Sequence, residues 1–263
     1  MPFTPSHAIV ALPFVRSPLI PAAIAIGAMT PDLPLFVRFG VPRYGMTHDL
    51  RWLPVTVLFA LALLLVWRCV LRPAVRALSP SALARRLPAS WDQGARASLR
   101  ETFPSGVGVL WLALSLVLGV ASHIVWDAFT HDGRGGGELL PVLQEQWGPW
   151  HGYRWLQYAS TAIGLVVLAI AAILWLRRRR DQQEPAKVLP LSIRVIWWLS
   201  LPVILVLAWL WGVVQFGPFD GSFTVRHLAY LVLPPACGVW ASLTLLLCVV
   251  TPALVRRTHS PQR

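Results

Sequence analysis

Five apolar stretches, at residues 53–70, 107–126, 155–176, 193–216 and 228–250, limit what this chain can fold into more than any other feature. Each approaches the roughly 20 residues that carry an α-helix across a hydrocarbon core of about 30 Å. In that medium every backbone N–H and C=O must be satisfied within the protein, and a helix does so inside one segment. Composition agrees: mean hydropathy is +0.60, and 13% of residues are charged where soluble domains carry about a quarter. The expected fold is an all-α polytopic membrane protein with about five transmembrane helices. Many of the 14 Trp fall at segment ends, among them Trp52, Trp67, Trp126, Trp155 and Trp175, as interfacial belts require.

The net charge of +12 alternates from loop to loop. After the first span come Arg68, Arg72, Arg76, Arg85, Arg86, Arg96 and Arg100 against Asp92 and Glu101; after the third come Arg177 to Arg180, Lys187 and Arg194 against Asp181 and Glu184. The tail adds Arg256, Arg257 and Arg263. Residues 128–154 reverse the bias, holding Arg134 and Arg154 against Asp132, Glu138 and Glu145, and residues 217–227 carry one charge of each sign. The positive-inside rule makes the first set of loops and the C-terminus cytoplasmic. Nucleic acid is not an expected partner, since the basic runs lack interleaved aromatics and any recognition module. The resulting organisation is a membrane domain over residues 1–176, a basic cytoplasmic loop at 177–192, two C-terminal transmembrane helices at 193–250 and a basic tail at 251–263.

Residues 8–29 are apolar but are interrupted by Pro13, Arg16, Pro18 and Pro21, and proline inside a helix removes a hydrogen bond and clashes with the preceding turn. Two short helices joined near Arg16–Pro18 are expected, forming a re-entrant hairpin that returns Asp32 to the face holding His7. No basic region leads into an uninterrupted apolar core, so a cleaved signal peptide is not expected. Cys69, Cys237 and Cys248 lie in apolar spans without paired spacing and read as small core hydrophobes. Gly133-Arg134-Gly135-Gly136-Gly137 lacks the ending of a phosphate loop and reads as a flexible linker.

Against this background, ionisable groups beside spans are costly and point to function. His123, Asp127 and His131 recur at a four-residue step, which puts helical neighbours about 5–6 Å apart at Cβ. With the hairpin folded back, His7, Asp32, His48, Asp49, Asp127, His131 and His151 share the non-cytoplasmic face, with His123 one turn deeper. Imidazoles and carboxylates together suit a divalent metal, zinc first, with manganese or iron as alternatives. The expected ligands are His7, Asp32, His48, His123 and Asp127, holding either one metal or two that share a carboxylate. His131, Asp49 and His151 are expected around them as outer ligands, acid–base groups or orienting partners. Plainer readings stand beside these: Thr47-His48-Asp49 as a helix cap, Thr130-His131-Asp132 as a helix end, and His151 as a belt residue. His227 begins a span and His259 sits in the basic tail.

Several motifs resemble a known bacterial membrane family. Met1-Pro2-Phe3-Thr4-Pro5-Ser6-His7, Gly27-Ala28-Met29-Thr30-Pro31-Asp32, Thr47-His48, the run from His123 to His131 and the run from Tyr153 to Thr161 are similar to the family called domain of unknown function 4184, over most of residues 1–176. More distantly the chain resembles membrane-bound metal-dependent hydrolases, which share an early His, a Pro-Asp, a Thr-His and a His-x-x-x-Asp. The resemblance implies His7, Asp32, His48, His123 and Asp127 as site positions and the bacterial cytoplasmic (inner) membrane as location. Leu33-Pro34 after Asp32 and Gly45-Met46 before Thr47 depart from the wider pattern, each removing a ligand of a two-metal centre.

The expected function is metal-dependent hydrolysis of an ester, a phosphoester by preference, in a lipid or lipid-linked substrate at the extracytoplasmic face. Asp127, His131 and Asp49 are the expected catalytic groups. The alternative is a non-catalytic transporter or assembly factor using the cluster as a structural ion site or proton relay. Polar residues in the last two spans are few, chiefly Ser200, Gln215, Ser242 and Thr244, which disfavours a path through the membrane.

Overall fold

The computed structural model describes residues 3–38, 40, 42–179 and 189–258, with 252–258 described by helical backbone alone. Five helices are long and apolar enough to cross a membrane: α2 (Leu50–Leu78), α3 (Gly106–Thr130), α4 (Gly152–Arg177), α5 (Leu191–Phe216) and α6 (Val225–Thr258, apolar to Thr251). Ahead of them lie a 3-10 helix, Thr4–Phe14, and α1, Pro21–Met29. The chain divides into two compact units.

The first unit holds residues Met1–Leu33, Val41–Val66 and Leu99–Arg179. Its opening hairpin follows from proline placement. Pro5 and Pro21 sit in the first turns of their helices, where the missing N–H has no intrahelical partner to lose. The two short helices pack on one another. The first begins at Thr4 rather than near residue 8, so His7 lies inside it and not ahead of it. α1 consists of apolar residues, Pro and Gly and buries Ala23, Ile24, Gly27 and Ala28. It meets α3 backbone to backbone: a Cβ at Gly119 would stand 2.3 Å from the Ile24 carbonyl oxygen, and one at Gly27 would stand 2.8 Å from that of Leu116. Small residues allow this approach, which replaces the hydrophobic drive that lipid cannot supply. The Ile20 N–H donates to Ser115 Oγ at 2.9 Å and the Phe3 N–H to Thr161 Oγ1 at 3.1 Å, tying the hairpin to α3 and α4.

The spans run past their apolar cores because polar residues can extend a helix at the interface. Ser105 caps α3, accepting from the Gly108 N–H at 3.3 Å. The glycine-rich stretch departs from a linker: Gly136–Leu139 forms a helical turn, and a Cβ at Gly136 would lie 2.3 Å from the Ala128 carbonyl oxygen. Between α3 and α4, β1 (Gln146–Trp147) and β2 (Trp150–His151) pair antiparallel around Gly148 at φ +68°. Strands of two residues are too short to leave a periodic pattern in the sequence.

The second unit holds Pro34–Gly40, Trp67–Ser98 and Arg180–Arg263. A π-turn at Trp67–Leu71 leads into the helical residues Arg72–Leu78, so Arg68, Arg72 and Arg76 prolong a helix instead of opening a loop. All three are buried. Arg72 donates to Ser98 Oγ at 3.3 Å, and Arg76 donates to the Ala84 carbonyl at 3.1 Å and pairs with Asp92. Cys248 packs with Ala74, Ala77, Leu78 and Leu189 in the core of this unit. Trp240 Nε1 donates to Ser200 Oγ at 3.0 Å and Trp197 Nε1 to Thr244 Oγ1 at 3.1 Å, so two of the sparse polar groups of α5 and α6 fasten one helix to the other. Residues 180–188 of the basic loop and His259 lie outside the described residues.

Candidate metal centre

Four segments of the first unit converge. The 3-10 helix brings His7, the turn Thr30–Asp32 beyond α1 brings Asp32, the residue after the helical turn Tyr44–Thr47 brings His48, and α3 brings His123 and Asp127. Local chemistry sets each in place. Thr30 Oγ1 donates to the Ile26 carbonyl at 2.7 Å. Thr47 Oγ1 donates to the Pro31 carbonyl at 2.6 Å, which fastens the His48 segment to the Asp32 segment. Asp32, His123 and Asp127 are each 1% exposed, His7 7% and His48 9%.

The donor atoms stand at short, similar separations. His48 Nε2 lies 3.2 Å from His123 Nε2, 3.6 Å from Asp32 Oδ1 and 3.5 Å from Asp127 Oδ2. His123 Nε2 lies 3.7 Å from Asp32 Oδ1 and 3.5 Å from Asp127 Oδ2, and His7 Nε2 lies 3.8 Å from Asp127 Oδ1. A four-coordinate ion about 2.0–2.1 Å from each donor separates those donors by about 3.3–3.4 Å. These contacts are therefore the size of coordination-polyhedron edges.

Tautomers follow from the outer nitrogens. His123 Nδ1–H donates to the Ala28 carbonyl at 2.7 Å and His48 Nδ1–H to the Tyr44 carbonyl at 3.0 Å, leaving each Nε2 lone pair aimed inward. Buried polar atoms are nearly always hydrogen-bonded, yet His7 Nε2, Asp32 Oδ1 and both carboxylate oxygens of Asp127 make no hydrogen bond. Five side chains thus offer lone pairs in two overlapping donor groups, with few protons to share among them.

Electrostatics favour a cation there. Burial, reinforced by the adjacent His123 imidazole, lowers His7 to a pKa of about 4, so its ring is neutral and able to donate a lone pair. Burial opposes charge on His48 as well, but the carboxylates of Asp127 and Asp32 outweigh it and raise its pKa. Burial likewise favours a neutral Asp32, and the imidazoles of His48 and His123 with the Thr4 hydroxyl prevail and lower its pKa. A field that favours positive charge at His48 also attracts a metal ion.

His131, Asp49 and His151 are placed differently. α3 ends at Thr130, and His131 follows in extended conformation at φ −128°, ψ 144°, so it is not a third member of the helical row. Its Nδ1–H donates to the Asp127 carbonyl at 3.1 Å and lies 3.6 Å from Asp127 Oδ2. Burial lowers its pKa. Asp49 caps the turn Leu50–Trp52, accepting from the Arg51 N–H at 2.9 Å. His151 Nδ1–H donates to the Gln144 carbonyl at 2.8 Å, and His227 accepts from the Thr224 N–H at 3.2 Å.

Three supporting groups leave little or no mark in the sequence. Thr4 Oγ1 donates to Asp32 Oδ2 at 2.7 Å, and Thr-Pro preceding both His7 and Asp32 is the one signal that could have exposed it. The Ala28 and Tyr44 carbonyls orient two imidazoles, and backbone acceptors leave no mark in residue type. The Tyr44 ring also lies 3.9 Å from that of His48, centroid to centroid.

Comparison with curated proteins and with solved structures gives no match. Residues 1–250 match the family described as Domain of unknown function (DUF4184), so the likeness carried by motifs in residues 1–176 continues through α5 and nearly all of α6. The chain is a multi-pass membrane protein that belongs to the DUF4184 family.

Proposed function

We propose that the His/Asp cluster holds one divalent metal ion, zinc first and manganese or iron as alternatives, and that the protein is a metal-dependent hydrolase. Its substrate is an ester, a phosphoester by preference, of a lipid or lipid-linked molecule at the extracytoplasmic face of the bacterial inner membrane, with the C-terminus cytoplasmic. The carrying observation is the set of buried lone pairs without hydrogen bonds at His7, Asp32 and Asp127. Left without a cation, each such atom costs about 1–3 kcal/mol of desolvation. Two overlapping donor triads, His7–Asp32–His123 and His48–His123–Asp127, share His123. Its Nδ1 is taken by Ala28, and one remaining nitrogen serves one ion.

Where one of the five donors gives way to water, zinc held there would supply a Lewis acid and a water whose pKa falls toward about 7. His7, His48 and His123 would hold it through neutral imidazoles, and Asp32 and Asp127 through carboxylates. Thr4 keeps Asp32 aimed by occupying its outer oxygen. His131 is the most exposed of the group, with its side chain 17% accessible beside 1% for Asp127. It is the residue placed to pass a proton between Asp127 and the exterior. Asp49, engaged with the Arg51 N–H, serves the turn that follows His48.

Hydrolysis of a panel of lipid phosphoesters by the detergent-purified protein, blocked by chelation and restored by zinc, tests the reading; no hydrolysis by the metal-loaded protein contradicts it. His131→Ala is expected to keep its metal while kcat falls about 10²–10⁴-fold, the range of acid–base catalysis. Metal loss in that variant would make His131 a ligand instead. Thr4→Val is expected to weaken metal affinity about 10–100-fold, as loss of a ligand's hydrogen-bond partner does. Competition with a chromogenic chelator reads that change, and wild-type affinity would remove Thr4 from the site.

A further inference from the structure

Beside the cluster lies a groove of about 480 Å³ walled by the N-terminal 3-10 helix, α3 and α4, within the roughly 300–1,000 Å³ of small-molecule sites. Ile9, Val10, Trp126, Leu156, Ala159 and Ile163 supply apolar walls, and His7, one of the five donor residues, also lines the groove. Three hydroxyls also line it, and each spends its proton on a carbonyl of its own segment: Ser6 on Phe3 at 2.8 Å, Ser122 on Gly119 at 2.7 Å, and Ser160 on Gln157 at 3.1 Å. Such a wall offers a ligand methylene and aromatic surface but no hydroxyl proton. From Leu156 to Gly164 along α4, a rise of 1.5 Å per residue gives about 12 Å, most of the roughly 15 Å hydrocarbon depth of one leaflet. Ile163 is 60% exposed on this membrane-crossing helix, so the phase in contact with the open side is hydrocarbon.

We propose that this groove seats one linear hydrocarbon chain of a lipid phosphoester, admitted sideways from the bilayer, with the ester held at the His/Asp cluster past His7. The assignment rests on the hydrolase reading and adds to it the substrate's anchoring chain and its route. A polar headgroup would find the three groove hydroxyls already spent on backbone carbonyls, whereas a chain buries surface along its whole length.

The test uses the full chain in phosphatidylcholine nanodiscs containing a phosphatidic acid with a photoreactive diazirine near the end of one acyl chain. After irradiation, adducts on Ile9, Val10, Ala159 and Ile163 are expected to exceed those on a freely lipid-facing position such as Val214, which is 87% exposed. Ala159→Trp, and independently Val10→Trp on the opposite wall, should each lower groove labelling about tenfold, the effect of displacing about two buried methylenes, with metal content unchanged. Equal labelling of Val214 and the groove, or labelling untouched by both variants, overturns the chain site even where metal is bound. Groove labelling of a protein that takes up no metal overturns the hydrolase reading instead, and the route to the cluster with it.

Discussion

The double variant His123→Ala, Asp127→Ala is expected to lose its metal and its hydrolytic activity together. The wild type, purified in detergent from metal-supplemented cells, is expected to carry one ion per chain by elemental analysis. His123 belongs to both donor triads, and Asp127 has contacts of 3.5 Å to His48 and 3.5 Å to His123. Removing the two takes the imidazole common to both triads and the carboxylate that contacts two histidines, which leaves neither donor triad intact. The fold should survive, because both changes reduce side-chain volume and relieve two unsatisfied carboxylate oxygens at the centre. A double variant that keeps stoichiometric metal would move the ion elsewhere. A wild type without metal would favour a proton-relay or assembly role.

The second large effect is structural. Gly119→Val should dislodge α1 from α3, because a Cβ at that position meets the Ile24 carbonyl oxygen at 2.3 Å and the Ala28 nitrogen at 2.9 Å. Both are backbone atoms that cannot swing aside. Overpacking costs typically about 1–3 kcal/mol and occasionally more, and backbone on both sides places this case at about 3 kcal/mol or above. The consequence reaches function through the Ala28 carbonyl, which holds His123 Nδ1 at 2.7 Å, and through Asp32 just beyond α1. A lowered thermal midpoint and weakened metal binding are therefore expected together. Gly135→Ala is the control: its φ is −55° and nothing lies within 4 Å of the added Cβ, so stability should change by less than about 0.5 kcal/mol. Wild-type stability and metal content in Gly119→Val would show that the α1–α3 contact does not set the centre.

Much of the architecture was legible because a bilayer leaves few choices. The five spans announce themselves by length and hydropathy, and the prolines at 13, 18 and 21 mark the hairpin. The hairpin in turn predicts that His7 and Asp32 meet, and the structure places them in one donor group. The limits are equally physical. A four-residue step assumes an unbroken helix, and α3 stops one residue before His131. Arg68, Arg72 and Arg76 look like a solvated loop by charge alone, but helical continuity turns them into the second unit. Gly136 looks free in sequence and is held against the Ala128 carbonyl in space. The Ala28 and Tyr44 carbonyls could come only from coordinates.

X-ray absorption at the metal edge of the purified wild-type protein addresses the central claim most directly. The account predicts a bound ion with imidazole scattering from three histidines and oxygen neighbours, all at about 2.0–2.2 Å. A spectrum without imidazole scattering, or no edge above background after metal supplementation, would contradict it.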